Sequence, residues 1–404
     1  MIFQKLKKYI SYISIDCVMA CIYFLSLPFT VVTTPFGSLM KIITMPVTAV
    51  LLYKLIFGKT KPLAFNSVHL VYSVYVLYTV CGLFFLMNDM SVLHTKDMLL
   101  TYFVMTLISI RVYNDKEIDL IESSWVLVGV YCAYLALTST EVANEFENRT
   151  IVYVLGFRED PNQFCAYFIM PVMICIKRIV EKRKFTLLYI VLLILIMYSV
   201  LRTGSRGGFL GIIIGIVMCI FLAVKSFKAK IALIMIGILS AIIIMTVVFP
   251  LLPEDVQVRF SVESVVEDNG AGRFDIWKYL FNYSLEKPER FLLGSGLFST
   301  YTILEEAKVV DKAGAAHNQF VQVLTDQGVI GVVLFLTLIA TCFFRSWKRN
   351  PYYACAFVAV MVFSMSLTLY LFKPYINILI MCAITYIMQE GENHGDNQKV
   401  IELS

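Results

Sequence analysis

Charged residues are scarce in this sequence. Asp, Glu, Lys and Arg make up 16% of its 404 residues, against about 25% in soluble globular domains. Hydrophobic residues reach 59% and the mean hydropathy is +0.77, so the composition excludes a disordered chain and disfavours a soluble enzyme. The net charge of +5 is too small to indicate a nucleic-acid partner. The composition therefore predicts an integral membrane protein.

Several chemical signatures are missing as well. The ten cysteines are too sparse for a disulfide scaffold, and none forms a Cys-x-x-Cys pair. The four histidines are scattered, without the spacing of metal ligands. The sequence has neither a phosphate-binding glycine loop nor a Gly-x-Ser-x-Gly element. These patterns predict no metal site.

Long apolar runs dominate instead. A bilayer core requires about 20 apolar residues in a helix, and the runs lack the alternation of barrel strands. We predict an all-α integral membrane protein with about 12 transmembrane helices and one large extracytoplasmic loop that contains short helices. The predicted spans are 13–33, 37–57, 67–87, 98–112, 120–139, 162–176, 185–201, 207–224, 231–250, 328–344, 352–372 and 375–388.

Lys and Arg are distributed unevenly between the connecting segments. With a cytoplasmic N-terminus, the cytoplasmic segments carry 20 of them and the short outer loops carry 6. The positive-inside rule therefore predicts both termini in the cytoplasm. Lys41 lies inside the second span and is assigned to neither side. The first apolar run is long and further spans follow, so we expect a retained helix and no signal peptide.

These spans divide the chain into five predicted regions. Residues 1–140 are N-terminal transmembrane helices, and 141–250 are central transmembrane helices with an outer loop and an arginine motif. Residues 251–327 form the large extracytoplasmic loop. Residues 328–390 are the C-terminal transmembrane helices, and 391–404 form a polar cytoplasmic tail.

The large loop has patterns of its own. Residues 274–286 have helical spacing with Phe274, Trp277, Leu280 and Phe281 on one side, so this helix is expected to lie on the membrane surface or cap the bundle. The stretch GSGLFSTY (294–301) predicts a turn that leads into another short helix. The loop is acidic overall, so a bound phosphate would require individual arginines at short range.

Two arginines occur in LRTGSRGGFLG, at the predicted outer side. Arg202 and Arg206 are four residues apart and could share a helix face. The alternative is that both are anchors at the membrane interface. Arg273 opens the Trp277 helix, where it could bind a ligand or pair with acidic neighbours such as Asp275.

The other predicted outer loop carries Arg149 and Arg158. Arg158 could bind a ligand or simply neutralise Glu159 and Asp160. The step from Asp160 to Asn162, through a proline, predicts a turn and a helix start.

His317 and Asn318 lie where the large loop returns to the bilayer. A histidine there could take a proton from a hydroxyl, or it could be a structural residue. Asp326, further along the same segment, could orient this histidine or cap the next helix.

Four motifs in one order resemble the bacterial O-antigen ligase and O-antigen polymerase superfamily. They are GFREDPNQF opening one span, SRGG opening the next but one, GRFDIW followed by LLGSGLFSTY in the large loop, and HNQFVQVLTDQGVIGVVLFL closing it. The resemblance covers roughly residues 145–345. The first 140 residues match only in being apolar spans.

The resemblance implies a membrane glycosyltransferase of surface polysaccharide biosynthesis. Such proteins take a glycan from undecaprenyl diphosphate at the outer face of the bacterial cytoplasmic membrane, without a metal, cofactor or nucleotide sugar. The acceptor is another repeat unit for an O-antigen or capsule polymerase and lipid A–core for a lipopolysaccharide ligase. Membrane lipids and a chain-length regulator are the other expected partners.

The resemblance also assigns roles to residues. Arg206 and Arg273 match the diphosphate-binding arginines, and His317 matches the proposed base. The match is less secure for Arg202, expected to bind the diphosphate, and for Arg149 and Arg158, expected to contact substrate. Asn162 is expected to contact substrate as well. Asn318, beside the base, is also expected to contact substrate.

Two alternatives remain open at the level of sequence. We favour a polymerase over a ligase, since the superfamily shares its short motifs and polymerases vary more in sequence. A precursor transporter or flippase is the alternative from another class. That class predicts charged residues at mid-membrane depth, where this chain has few.

Overall fold

A computed structural model describes most of the chain. The described residues are 13–58, 63–86, 89–139, 142–143, 149–222, 224–243, 246–247, 249–251, 257–258, 273–308, 314–369 and 373–387. The predicted tail 391–404 and part of the large loop lie outside them. The fold is mostly helical, which confirms the all-α class.

The helices follow the predicted apolar runs. In chain order they are α1 (Ile15–Leu25), α2 (Leu39–Phe57), α3 (Ser67–Gly82), α4 (Asp89–Ser109), α5 (Asp115–Thr138), α6 (Pro161–Cys165), α7 (Ile169–Val180), α8 (Thr186–Arg202), α9 (Arg206–Leu222), α10 (Phe227–Ile243), α11 (Arg273–Leu285), α12 (Pro288–Leu293), α13 (Ser299–Ala307), α14 (Gln319–Arg349), α15 (Pro351–Phe363) and α16 (Lys373–Ala383). Short 3-10 turns at Leu27–Thr30, Ala166–Phe168 and Phe249–Leu251 extend or connect them.

The strands are short and pair in twos. They are β1 (Thr33–Thr34) with β2 (Gly37–Ser38), β4 (Val142–Ala143) with β5 (Arg149–Thr150), and β6 (Val152–Val154) with β7 (Phe157–Glu159), all antiparallel. The parallel pair is β3 (Val112–Asn114) with β8 (Thr385–Ile387).

Each predicted span overlaps at least one of these helices, although the boundaries differ. Among the described residues, four helical stretches are long and apolar enough to cross a membrane: Leu39–Phe57, Asp115–Thr138, Pro161–Val180 and Gln319–Arg349. Others, such as Ile15–Leu25 and Pro351–Phe363, are apolar but shorter. The structure thus gives a helical membrane protein, and the number of twelve crossings stays a prediction.

Side-chain caps explain where several helices begin. The Asn66 and Asn114 side chains accept bonds from the first backbone N–H groups of α3 and α5, and Asp160 does the same for α6. Such caps satisfy N–H groups that have no partner inside the helix. The predicted helix start after Asp160 is confirmed.

The hydrophobic core lies around α7 and α15. Both helices are buried on almost all sides, as expected for helices that are apolar all round. The C-terminal end of α15 therefore lies in the middle of the bundle, surrounded by the other helices.

One end of the bundle is held by buried ion pairs, and we call it the Glu122 end. Lys177 lies 2.6 Å from Glu122, which also accepts a bond from the Tyr353 hydroxyl. Asp16 pairs with Lys54 at 2.7 Å. The β3–β8 pair lies here as well, so the predicted cytoplasmic ends of several spans meet at this end.

The opposite end holds the large loop, and we call it the Asp326 end. Helices α11, α12 and α13 belong to that loop and pack against α14. Helix α14 is interrupted at Gly328, which has φ 64° and ψ −170°. Its first part, from Gln319 to Gln327, is thus a separate helical segment that precedes the predicted span 328–344.

Candidate functional site at the Asp326 end

Asp326 binds the loop to the bundle. Its buried carboxylate accepts bonds from the Phe298 and Thr300 backbone N–H groups, both at 2.9 Å, and from the Thr300 hydroxyl at 2.6 Å. These bonds satisfy the first N–H groups of α13. Of the two roles predicted for Asp326, capping is the observed one. The capped helix is α13 of the loop and not the helix that follows Asp326 in sequence.

Two glycines let the backbones approach closely at this junction. Gly294 and Gly328 both have positive φ, which favours glycine. A Cβ at Gly328 would overlap the Leu292 carbonyl, and one at Gly294 would overlap Asp326. The Ser295 and Gly296 N–H groups donate to the carbonyls of residues 325 and 326, both at 2.9 Å. The GSG motif (294–296) and the TDQG motif (325–328) therefore pack against each other.

The His317 segment is held from several sides. His317 has φ 49° and is half-buried, and Asn318 caps α14 through its side chain. The Gln319 N–H donates to the Ser364 carbonyl at 2.8 Å. The amide oxygen of Gln322 accepts from the Thr368 hydroxyl at 2.9 Å and from the Ala316 N–H at 3.3 Å. The chain on both sides of His317 is thus fixed to residues 364–368.

Arg206 begins α9 beside the same residues. A Cβ at Gly207 would overlap Ser366, and one at Gly208 would overlap Cys165, so only glycine allows this approach. The prediction that Arg202 and Arg206 share a helix face is wrong. Arg202 ends α8 and Arg206 starts α9, and Gly204, with φ 65°, turns the chain between them.

Arg273 begins α11, which packs next to His317. The Trp277 indole N–H donates to the Ala316 carbonyl at 2.8 Å. Ile276 and Leu280 are buried against α13 and Ala316. Phe274 and Phe281, on the predicted apolar side of α11, are 58% and 50% exposed, whereas Leu280 is buried. The helix does cap the bundle through its contacts with α13 and α14.

The structure therefore brings three predicted segments together around residues 363–368 and Ala316. These segments are the start of α9 with Arg206, the start of α11 with Arg273, and the loop at His317. Two cationic side chains and an imidazole carried on converging segments could bind an anionic leaving group and accept a proton.

The other predicted residues have different surroundings. The Arg202 guanidinium donates to the carbonyls of Leu137 at 3.0 Å and Ser139 at 2.9 Å, so it stabilises the C-terminal end of α5. Arg158 is exposed on β7, and Asn162 is half-buried in α6. Arg149 lies in β5, and its side chain is outside the described part of the structure.

A cavity of about 330 Å³ opens at this same end. Lys41 and Asp97 pair across it at 2.9 Å. The ring of His94 stacks on Phe298 with centroids 3.8 Å apart, and Phe298 stacks on Tyr301 at 4.6 Å. We call it the His94 cavity. The sequence analysis did not predict this cavity. The available signals were Lys41 inside an apolar run and the aromatic residues Phe298 and Tyr301, three positions apart.

Burial shifts the pKa of several groups outside the predicted spans, among them Tyr301, Glu159 and His94. It raises the pKa of the Tyr301 hydroxyl to about 12, so that hydroxyl stays protonated at neutral pH. It raises the pKa of Glu159 to about 7. For His94, which precedes the predicted span 98–112, burial lowers the pKa and favours the neutral ring.

Metal-ligating side chains do not cluster in the described ranges. No group of three or more His, Cys, Asp or Glu side chains that could hold a metal ion is found among those residues.

The fold and this end of the bundle define an integral membrane protein whose loop helices cover one end of a helical core. Comparison with known proteins then gives the family. Residues 188–336 match the family model described as O-antigen ligase, which confirms the predicted resemblance to the O-antigen ligase and polymerase superfamily. The match includes Arg202, Arg206, Arg273 and His317.

Other comparisons add little. No curated protein matches the chain. A chain from a solved structure titled "Structural coordination of polymerization and crosslinking by a peptidoglycan synthase complex" is 14% identical, with a TM-score of 0.45. The alignment covers 80% of this chain and 97% of that one. A TM-score this low carries no argument about this protein.

Proposed function

We propose that this protein is a membrane glycosyltransferase of surface polysaccharide biosynthesis. It transfers a glycan from undecaprenyl diphosphate to an acceptor sugar at the outer face of the bacterial cytoplasmic membrane. A polymerase that adds repeat units is favoured over a ligase that joins the glycan to lipid A–core. The family match supports this type of activity over residues 188–336.

One observation carries the proposal. The segments with Arg206, Arg273 and His317 come from three distant parts of the chain, yet all contact residues 363–368 or Ala316. The glycines at 207 and 208 and the Trp277 bond hold those segments close. Transfer from a diphosphate requires cationic residues near a base, and these segments carry both.

The proposed mechanism uses these residues in one displacement. The acceptor oxygen attacks the anomeric carbon of the donor glycan as the bond from that carbon to the diphosphate oxygen breaks. Arg206 and Arg273 stabilise the negative charge that grows on the departing diphosphate. His317 takes the proton from the acceptor hydroxyl. Attack opposite the leaving group inverts the anomeric centre.

The proposal includes an orientation. The Asp326 end faces outward, the Glu122 end faces the cytoplasm, and about twelve helices cross the membrane with both termini inside. The order of the helices supports this orientation, because the predicted cytoplasmic ends of several spans meet at the Glu122 end. A membrane-impermeant thiol reagent on intact cells should label Glu286→Cys and leave Lys182→Cys unlabelled, and the reverse pattern would reject the orientation.

The test of function uses purified protein with an undecaprenyl-diphosphate oligosaccharide and EDTA, without nucleotide sugar. We expect a ladder of lengthening glycans on a gel. Arg206→Ala and Arg273→Ala should each lower turnover by roughly 10²–10³-fold, the usual cost of losing one such stabilising group. Arg290→Ala is the matched control, because Arg290 lies in the same loop and pairs with Glu286 at 2.8 Å.

The products separate the alternatives. A single addition that depends on added lipid A–core would indicate a ligase. No product with either acceptor would favour the transporter reading, and full activity of Arg206→Ala would reject the assigned site.

A further inference from the structure

The His94 cavity has no role in the proposed transfer reaction, which uses Arg206, Arg273 and His317. It lies between membrane helices and the loop, since Lys41 comes from α2, His94 and Asp97 from α4, and Phe298 and Tyr301 from the loop. Its volume of about 330 Å³ is at the lower end of the roughly 300–1,000 Å³ found for small-molecule sites.

The wall of the cavity offers hydrogen-bonding groups of several kinds. The Asp97 carboxylate accepts and the Lys41 ammonium donates. The Thr101 and Thr368 hydroxyls, which donate to the Asp97 backbone carbonyl and the Gln322 side chain, can accept as well. Gln163 adds an amide with a donor and an acceptor. The column of three rings supplies an apolar surface beside these groups.

The charges in the wall of the His94 cavity argue against a second binding site for a diphosphate. Lys41 is the cation in this wall, and Asp97 neutralises it at 2.9 Å. The side chains of the pair are 46% and 33% exposed, so both remain accessible to a ligand. A neutral, hydroxyl-rich molecule fits this mixture of donors and acceptors better than a phosphate does.

The cavity shares two structural elements with the arginine and histidine site. Gln163 lies in α6, and Cys165 at the end of that helix contacts Gly208, two residues after Arg206. Thr368 bonds to Gln322, which also binds the Ala316 N–H next to His317. Some of the same segments therefore form both the cavity and the proposed reaction centre.

We propose that the His94 cavity binds one sugar unit of the transferred or accepting glycan through its hydroxyl groups. Asp97 and Lys41 hold hydroxyls, and the edges of Phe298 and Tyr301 contact the apolar face of the sugar ring. This inference rests on the proposed function, because that function supplies the glycan. The His94 cavity determines which sugar is bound. Arg206, Arg273 and His317 act in the reaction that breaks the bond between the anomeric carbon and the diphosphate.

The loop is part of this binding site. Asp326 fixes the Phe298 N–H, and Phe298 adopts φ 65° between the rings of His94 and Tyr301. One wall of the sugar site is thus formed only when the loop is docked.

The first experiment measures binding without transfer. The probe is the oligosaccharide released by mild acid from the source cell's lipid-linked glycan, which carries neither lipid nor diphosphate. Full-length protein in nanodiscs should bind it in saturation-transfer NMR. Asp97→Asn and Lys41→Gln should each weaken binding about tenfold or more, as expected when a charged hydrogen-bonding partner is lost. Glu286→Gln, which changes an exposed ion pair outside the cavity, should bind as the unaltered protein does.

The second experiment asks which substrate contributes the sugar. Transfer is measured with the oligosaccharide as acceptor at fixed donor, and then with the donor varied. A KM for the acceptor that rises in Asp97→Asn assigns the site to the acceptor sugar, and a rise for the donor assigns it to the donor sugar. Unchanged binding and unchanged KM values in both variants, with unfolding temperatures like that of the unaltered protein, would overturn the inference. If the unaltered protein binds the oligosaccharide but transfers nothing, the proposed function fails while the sugar site stands.

Discussion

At the Glu122 end, carboxylates and basic side chains neutralise one another inside the bundle, whereas at the Asp326 end the buried carboxylate holds backbone N–H groups. Glu122 pairs with Lys177, and Asp16 pairs with Lys54. Asp326 instead accepts from Phe298 and Thr300, and Arg202 donates to carbonyls.

This difference indicates that the Glu122 end and the Asp326 end have different roles. Ion pairs between helices lock those helices together but leave no charge to offer a ligand. Polar groups that bind the backbone instead fix the path of a loop and position other side chains. We therefore expect damage at the Glu122 end to reduce stability and damage at the Asp326 end to reduce function.

The largest effect is expected from removing one partner of the Glu122 pair. Glu122→Ala leaves Lys177 charged and buried, which costs about 3–5 kcal/mol in comparable cases. The unfolding temperature in detergent and the yield from membranes should both fall strongly. The double variant Glu122→Gln with Lys177→Met should recover much of the loss, because both charges are removed. An unchanged unfolding temperature for Glu122→Ala would contradict the locking role.

A smaller and more local effect is expected at Asp326. Asp326→Asn loses charged acceptors for α13, at a cost of about 1–3 kcal/mol. Hydrogen exchange at residues 297–301 should become faster, while exchange in α15 stays the same. Glu305→Gln, an exposed change in α13, is the control. Equal acceleration in both helices would show that Asp326 supports the whole bundle and not the loop.

The smallest effect is a pH dependence near the β6–β7 hairpin. Burial raises the pKa of Glu159 to about 7, so the folded protein holds this proton more tightly than the unfolded chain does. Stability is then greatest below the unfolded pKa of about 4.3 and is lost as pH rises to about 7. Glu159→Gln should flatten the plot of unfolding temperature against pH between 5 and 8, and a slope equal to that of the unaltered protein would contradict this account.

Much of the fold was predictable because hydrophobic runs and capping residues act locally. The apolar runs located the helices, and Asp160 marked the start of α6. The face of α11 was not predictable, since apolar residues lie on several of its sides and only the position of α13 decides which are buried.

The candidate site was predictable only in part. The motifs identified Arg206, Arg273 and His317 through the family resemblance, and their roles stay predictions. The role of Arg202 depends on carbonyls at Leu137 and Ser139, which a pattern of side chains does not reveal. The His94 cavity combines residues more than 250 positions apart, so no local spacing could indicate it.

The contact between Gly294 and Gly328 has a consequence for biosynthesis. The turn at Gly294 packs against the kink at Gly328, which is synthesised about thirty residues later. The Leu369 N–H also donates to the side-chain oxygen of Gln319 at 3.0 Å. The ribosome must therefore deliver nearly the entire polypeptide before the Asp326 end can assemble. A nascent or truncated chain that ends before Leu369 lacks part of these contacts and is incomplete at the Asp326 end.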